Sequence, residues 1–350
     1  MKNFLRLSAL LAAGLASGSS FAQTAVTKDA PAKATASKGT ELPPLPKGVS
    51  SLGAIACDGY VYVYGGHAGK THSYDTQSVL GTFHRLKIDG GTRWEELPGG
   101  PILQGMNLAS HGGKVYRVGG MTPRNEPGTP ADNASTKVCA AFDPKAGKWE
   151  LLPDLPAGRS SHDVVVVGDK LVVVGGWEQK GKSEKSAWHD TALTLDLKAK
   201  DAKWESIPQP FKRRALTAAA VGTKVYVIAG LGEKGADRQV DVLDVATGKW
   251  ATGPKLPGDD RVGFSPAATV VNNRVIVNTN AGPVYRLTES GDAWEKVGDA
   301  TASRMVGRLV PHGTDAVILV GGAGGEGNVA EVEVIKLATK GEPVKEEVKK

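Results

Sequence analysis

The sequence predicts an all-β protein in which six small sheets, each of four antiparallel strands, surround an axis as the blades of a propeller. Three observations predict it. Adjacent glycines close hydrophobic strands at Gly65-Gly66, Gly119-Gly120, Gly175-Gly176 and Gly321-Gly322. A single tryptophan follows in most repeats, at Trp94, Trp149, Trp204, Trp250 and Trp294. Both marks return about every 50 residues among short strands, the signature of one sheet per repeat.

Each repeat reads strand, tight turn, strand, glycine pair, loop, strand, turn, tryptophan strand. The third shows it in order: HDVVVV, Gly168-Asp169, KLVVVGG, a loop, TALTLDL and KWESIP. Degenerate copies at Ala229-Gly230, after VYVI, and Asn278-Thr279, after RVIV, bring the count to six. The glycine pair marks a point where backbones crowd and a Cβ would clash. The tryptophan supplies an apolar plate for the neighbouring sheet. Both marks therefore read as structural. The sixth repeat ends at VEVIKL (332–337) with no tryptophan strand after it, whereas residues 40–46 echo residues 150–156. The N-terminal strand is thus expected to complete the last blade and leave no open edge.

This order of marks resembles the Kelch-repeat family over roughly residues 40–337. WD40 repeats would show Gly-His and a terminal Trp-Asp in each unit, and neither recurs from unit to unit here. The domain reading is a signal peptide at 1–22, a flexible leader at 23–38, the propeller at 39–338 and a charged, disordered tail at 339–350. The signal reading rests on Lys2 and Arg6, the apolar stretch from Leu7 to Leu15, and Ser20-Phe21-Ala22 before Gln23. That stretch is too short to span a bilayer. The expectation is an exported monomer, periplasmic or extracellular, with no transmembrane segment. A formal net charge of +6, part of it in the signal, does not argue for nucleic acid. The two cysteines, Cys57 and Cys139, fall in different blades and are expected as buried thiols rather than a disulfide.

Antiparallel blades sort their loops onto two faces. The turns between first and second strands are tiny, as at Asp58-Gly59 and Gly112-Gly113. The opposite face carries the long loops 67–78, 121–136 and 177–190, together with the connections entering each innermost strand. Long loops on a rigid scaffold are the expected place for binding residues. The two tryptophans outside the repeat, Trp177 and Trp188, both fall on the blade-three loop. Arg159, Arg213, Arg214, Arg261, Arg304 and Arg308 gather at the entrances, and His67, His72 and His189 sit on the loops. Guanidinium pairs bidentately with carboxylate, and an indole face stacks on a sugar ring. The candidate ligand-binding set is Arg159, Arg213, Arg214, Arg261, Arg304, His67, Trp177 and Trp188. Each arginine could instead pair inside its blade, and each tryptophan could instead pack the rim.

No metal site and no cofactor is expected: the histidines lack ligand spacing, and no phosphate loop precedes a helix. Galactose oxidase shares the Kelch propeller, but neither cysteine lies near a candidate loop, which argues against copper-radical oxidation. Asp89-Gly90-Gly91-Thr92-Arg93-Trp94 is only a partial sialidase Asp-box, with Lys87 at the serine position. The architecture is also similar to the exported N-acetylneuraminate epimerases. That likeness implies an alternative in which His162 transfers the proton while Arg159, Arg213 and Arg261 hold the anion. The leading expectation is a binding module for an acidic carbohydrate or a protein partner at the long-loop face.

Overall fold

The computed structural model of the protein describes residues 42–343. The expected signal peptide and leader, residues 39–41 and the last residues 344–350 lie outside the described residues. Blade one is Gly53–Cys57, Tyr60–His67, Val79–Lys87 and Glu95–Leu97; blade two is Leu108–His111, Lys114–Val118, Cys139–Asp143 and Lys148–Leu152. Blade three is Ser160–Val167, Lys170–Glu178, Thr191–Asp196 and Glu205–Pro208; blade four is Thr217–Val221, Lys224–Ile228, Val240–Asp244 and Lys249–Gly253. Blade five is Ala267–Val271, Arg274–Asn278, Pro283–Leu287 and Trp294–Asp299; blade six is Arg308–His312, Ala316–Val320 and Val332–Lys336. Strands pair antiparallel in chain order within each blade, and each innermost strand packs beside those of both neighbours, six beside one.

Apolar clusters fill the gaps between blades. Val118 meets Leu171 between two and three, and Val63 meets Ile318 between one and six. The second strands are sandwiched on both faces and read as continuous apolar runs, such as Leu171–Val174, all buried. Cys57 and Cys139 are free and buried, and burial pushes their thiols up to about 11 and about 12.

The repeated marks turn out to be bonds between blades. The amide of the second glycine donates to the carbonyl at the next blade's entrance: Gly66 to Leu103, Gly120 to Arg159, Gly176 to Arg213 and Gly322 to Val49, each at 2.8 Å. A Cβ on Gly119 would lie 2.5 Å from the Arg159 carbonyl oxygen, and one on Gly175 would lie 2.8 Å from that of Arg213. Only glycine leaves the room. Each repeat tryptophan donates its indole N–H to a proline carbonyl on the preceding blade: Trp149 to Pro98, Trp204 to Pro153, Trp250 to Pro208 and Trp294 to Pro254.

Ring closure repeats the tryptophan bond and adds one from the N-terminal segment. Trp94 donates to the Pro43 carbonyl at 3.0 Å, and the Leu45 amide donates to Ala330 of blade six at 2.8 Å. Residues 42–49 thus bond to blades one and six, and among the described residues blade six shows three strands, the expected outer strand falling largely on residues outside them. At the other end, Glu342–Pro343 adds a short strand to the outer edge of blade five, and Arg286 holds the Ala338 and Thr339 carbonyls. This short strand falls within the segment read as tail from Thr339, whose last residues, 344–350, lie outside the described residues.

The axis is plugged by polar side chains. Asp163, wholly buried, accepts from Asn107 Nδ2 at 2.8 Å, from the Thr217 hydroxyl at 3.1 Å and from the Ala218 amide at 2.8 Å. Asn107 accepts the Ala54 amide, and Thr217 accepts the Ala268 amide. Arg308 crosses from blade six to the Leu52 and Met106 carbonyls, with its Nη1 3.7 Å from Asp163. One network thus touches all six blades.

Two stability predictions arise here. Leu45→Ala should cost about 2–5 kcal/mol in urea unfolding, because Leu45 is buried between blades six and one. An unchanged midpoint would refute the closure. Asp163→Ala strands a buried guanidinium and should cost about 3–5 kcal/mol; a loss under 1 kcal/mol would show the plug to be incidental.

Candidate functional site

The long-loop face is knit into a wall. Asn125 of blade two donates to the Tyr74 carbonyl and accepts the Asp132 amide, while its own carbonyl accepts the Thr76 amide. Ser135 and Gln179 join blades two and three through both of their amides. Asn328 of blade six donates to Gly69 of blade one.

Most of the expected binding arginines do not face that wall. Arg159, only 2% exposed, donates to the carbonyls of Gly175 and Thr191 at 3.2 and 2.9 Å. Burial pulls it down to about 10. Arg213, also 2% exposed, bonds the Gln239 carbonyl at 2.7 Å and pairs with Asp241 and Asp237. Arg304 bonds the Glu331 carbonyl at 3.3 Å and Glu333 at 2.5 Å. All three occupy the same place in their blades, satisfying backbone ahead of or at the third strand. Arg261 is exposed but held by Asp259 at 2.7 Å beside the 3-10 turn Asp260–Gly263. In the free protein these four make scaffold or local pairs.

Two of the histidines are likewise buried in the scaffold. His67 is buried, with Nε2 2.9 Å from the Ser73 carbonyl oxygen and its ring edge-on to Tyr74, so it braces its loop. His162 fills the core position that Leu52, Met106 and Leu216 hold in other blades, with its Cε1 against Gly119. Neither ring nitrogen has a partner. Burial first, then Arg159 and Arg308, pushes it well below the usual histidine range. His162 and Arg159 lie together beside Gly176, both buried, while Arg261 is exposed on the 3-10 turn. His189 bonds the Gly158 carbonyl, and burial lowers it to about 4.

Arg214 behaves differently. It stands one residue past the scaffold arginine of blade four, half-buried, and its guanidinium lies 4.1 Å from the centre of the Trp177 ring and 5.7 Å from that of Trp188. Trp177 and Trp188 face each other across a two-residue ladder with ring centres 5.9 Å apart. Tyr74 of blade one is close enough to couple electrostatically with Arg214. No side-chain hydrogen bond or ion pair reaches the Arg214 guanidinium among the described residues, and both its Nε and the Trp177 Nε1 are buried without an acceptor. Two orphan donors on an aromatic floor form a site short of an acceptor. Sequence reasoning missed Tyr74 and Asn125; Tyr74 was visible as the one aromatic residue in its loop.

A cavity of about 630 Å³ lies on the opposite face, between the turn Asn272-Asn273 and residues 288–291. Its two arginines, Arg274 and Arg286, share the single carboxylate of Glu295 at 3.1 and 2.6 Å, so each guanidinium there already has an acidic partner. The orphan donors make the long-loop face the stronger candidate. Among the described residues no group of three or more His, Cys, Asp or Glu could hold a metal, and no helix is long and apolar enough to cross a membrane.

A closed ring with one loop-built face defines a propeller of the binding-platform class. The chain belongs to the Kelch-repeat family: residues 105–322 match the KLHDC2/KLHL20/DRC7 Kelch-repeats domain. It is 21% identical over 266 residues to the Kelch-like protein terF of Aspergillus terreus, covering 72% of this chain and 57% of that protein. It is 27% identical over 322 residues to acyl-CoA-binding domain-containing protein 4 of Arabidopsis thaliana, covering 83% and 45%. The chain spans little more than half, or less, of the length of these curated relatives. The solved structure of YjhT superposes with a TM-score of 0.68 at 17% identity, covering 85% of this chain and 97% of that one, a likeness of fold.

Because His162 stays neutral in the fold, the unfolded chain takes up a proton that the native state does not as pH falls below about 6.5. Stability should drop from pH 6.5 to 5, by up to about 1.4 kcal/mol per pH unit for this group. His162→Leu should make that limb shallower in denaturation measured at each pH, His189 keeping its own share, and an equally steep limb would place the cause elsewhere.

Proposed function

We propose that the protein is an exported binding protein, periplasmic or extracellular, whose long-loop face takes an acidic carbohydrate. The observation that carries this reading is the Arg214 guanidinium, which lies on two indoles and has no acceptor among the described residues. A carboxylate would supply the missing acceptor in a half-desolvated place, where a charge-assisted bond is strong. The flanking rings give the apolar face of a sugar something to stack on.

Titration calorimetry with glucuronate at low salt tests it. Wild type should bind glucuronate in preference to glucose, and Arg214→Gln should weaken binding about tenfold or more, the worth of one charge-assisted bond. A poly-glutamate peptide that binds through Arg214 while glucuronate does not would replace the carbohydrate with an acidic protein segment.

A further inference from the structure

Six residues, one per blade, ring the mouth of the axis on the long-loop side: Ser51, Gly105, Ser161, Ala215, Ser265 and Val306. All have positive φ, between 49° and 62°. Their amides join them head to tail, from Ser51 to the Val306 carbonyl, Gly105 to Ser51, Ser161 to Gly105, Ala215 to Ser161 and Ser265 to Ala215. The ring encloses a cavity of about 40 Å³, which His162 and Arg308 also line.

The serines come from alternate blades, one, three and five. None of their hydroxyls has a hydrogen-bond partner among the described residues, and a Cβ on Gly105 would lie 3.5 Å from Ser161 Oγ, so neighbouring positions on the ring stand close together. Below them the Arg308 charge is met by two carbonyls and Asp163. The floor therefore offers no net charge, and His162 lines it neutral with both ring nitrogens unpartnered. The volume admits about three water-sized groups. It is too small for a sugar ring, and hydroxyl groups match its lining.

The Arg214 site stands one residue away from the ring in two blades. Arg214 immediately precedes Ala215, and Trp177 pairs with Ser160, the neighbour of Ser161. We propose that the axial well is a subsite for the hydroxylated arm of the ligand, two or three hydroxyl-bearing carbons extending from the group whose carboxylate sits at Arg214. This rests on the Arg214 reading and narrows its ligand to an acid bearing an open polyol chain.

Gluconate, an acid with such a chain, and propionate, an acid without one, are the probes for calorimetry. Glycine suits the positive φ of the ring, so the triple variant Ser51→Gly, Ser161→Gly, Ser265→Gly should fold. It should bind propionate as wild type does and gluconate at least tenfold more weakly. Should that triple variant not fold, Ser161→Ala serves, since Ala215 already tolerates this conformation. Gluconate binding that the serine variants leave unchanged but Arg214→Gln still weakens would overturn the well and spare the Arg214 site. If neither acid binds wild type, the Arg214 reading fails and the well with it.

Discussion

The bond from the second glycine's amide to the next blade's entrance carbonyl is what the rest of the structure depends on. It fixes where each entrance lies, and so where the residues around the mouth must stand. A single such bond is worth only about 1 kcal/mol, but in a closed ring none can lengthen without displacing its neighbours. Blade five lacks the glycine pair: Asn278-Thr279 stands there, and its side chain and amide turn inward to Gly282 and Pro283. The amide ring at the mouth shows no link from Val306 to Ser265 among the described residues. The seam between blades five and six is where the C-terminal segment crosses, with the Ala338 amide on Val297 and Glu342–Pro343 on the outer strand. The chain thus reinforces from outside the one interface that its repeat leaves short inside.

The fold was legible because its marks are the bonds themselves. A sequence that repeats Gly-Gly and Trp at fixed offsets is repeating two inter-blade contacts, and six copies leave little room for another architecture. The site was legible only in part, for the same reason. Arg159, Arg213 and Arg304 recur in register, and recurrence in register is the mark of scaffold; grouping them with Arg214 concealed the difference. Arg214 breaks the pattern, standing where other blades carry Ser50, Gln104, Ser160, Phe264 and Met305. Trp177 and Trp188 were legible as spares to the repeat. Which guanidinium they lie beneath was not, because that depends on a cross-blade approach no local pattern encodes.

Burial treats the two kinds of arginine in opposite ways. Arg213 and Arg304 lose hydration but gain a carboxylate and a carbonyl each, so removing either would strand a buried acid. Arg214 loses part of its hydration and gains only ring faces, and burial pulls its pKa down. Cation–π contact returns about 1–2 kcal/mol at such a partly desolvated site, less than a bidentate carboxylate would. The free protein therefore holds a cation that an incoming anion could complete without first displacing an internal partner. That differs from a salt bridge on the same face, where a ligand must compete with the acid already present.

The backbone of the mouth argues in the same direction. Five non-glycine residues there adopt a left-handed conformation, and for each the strain is of order 1 kcal/mol or more, largest for the β-branched Val306. Glycine would remove that strain, and Gly105 shows that the ring accepts it. A ring under selection for stability alone would tend toward glycine at all six places. A serine at such a place adds a hydroxyl to a layer where scaffold bonds leave side chains unused, since the arginines two before the ring (Arg159, Arg213, Arg304) brace the blades and Asn107, Asp163, Thr217 and Arg308 two beyond it fill the plug. Five of the ten left-handed non-glycine residues thus gather in the single layer of the axis whose side chains face incoming solute rather than another blade.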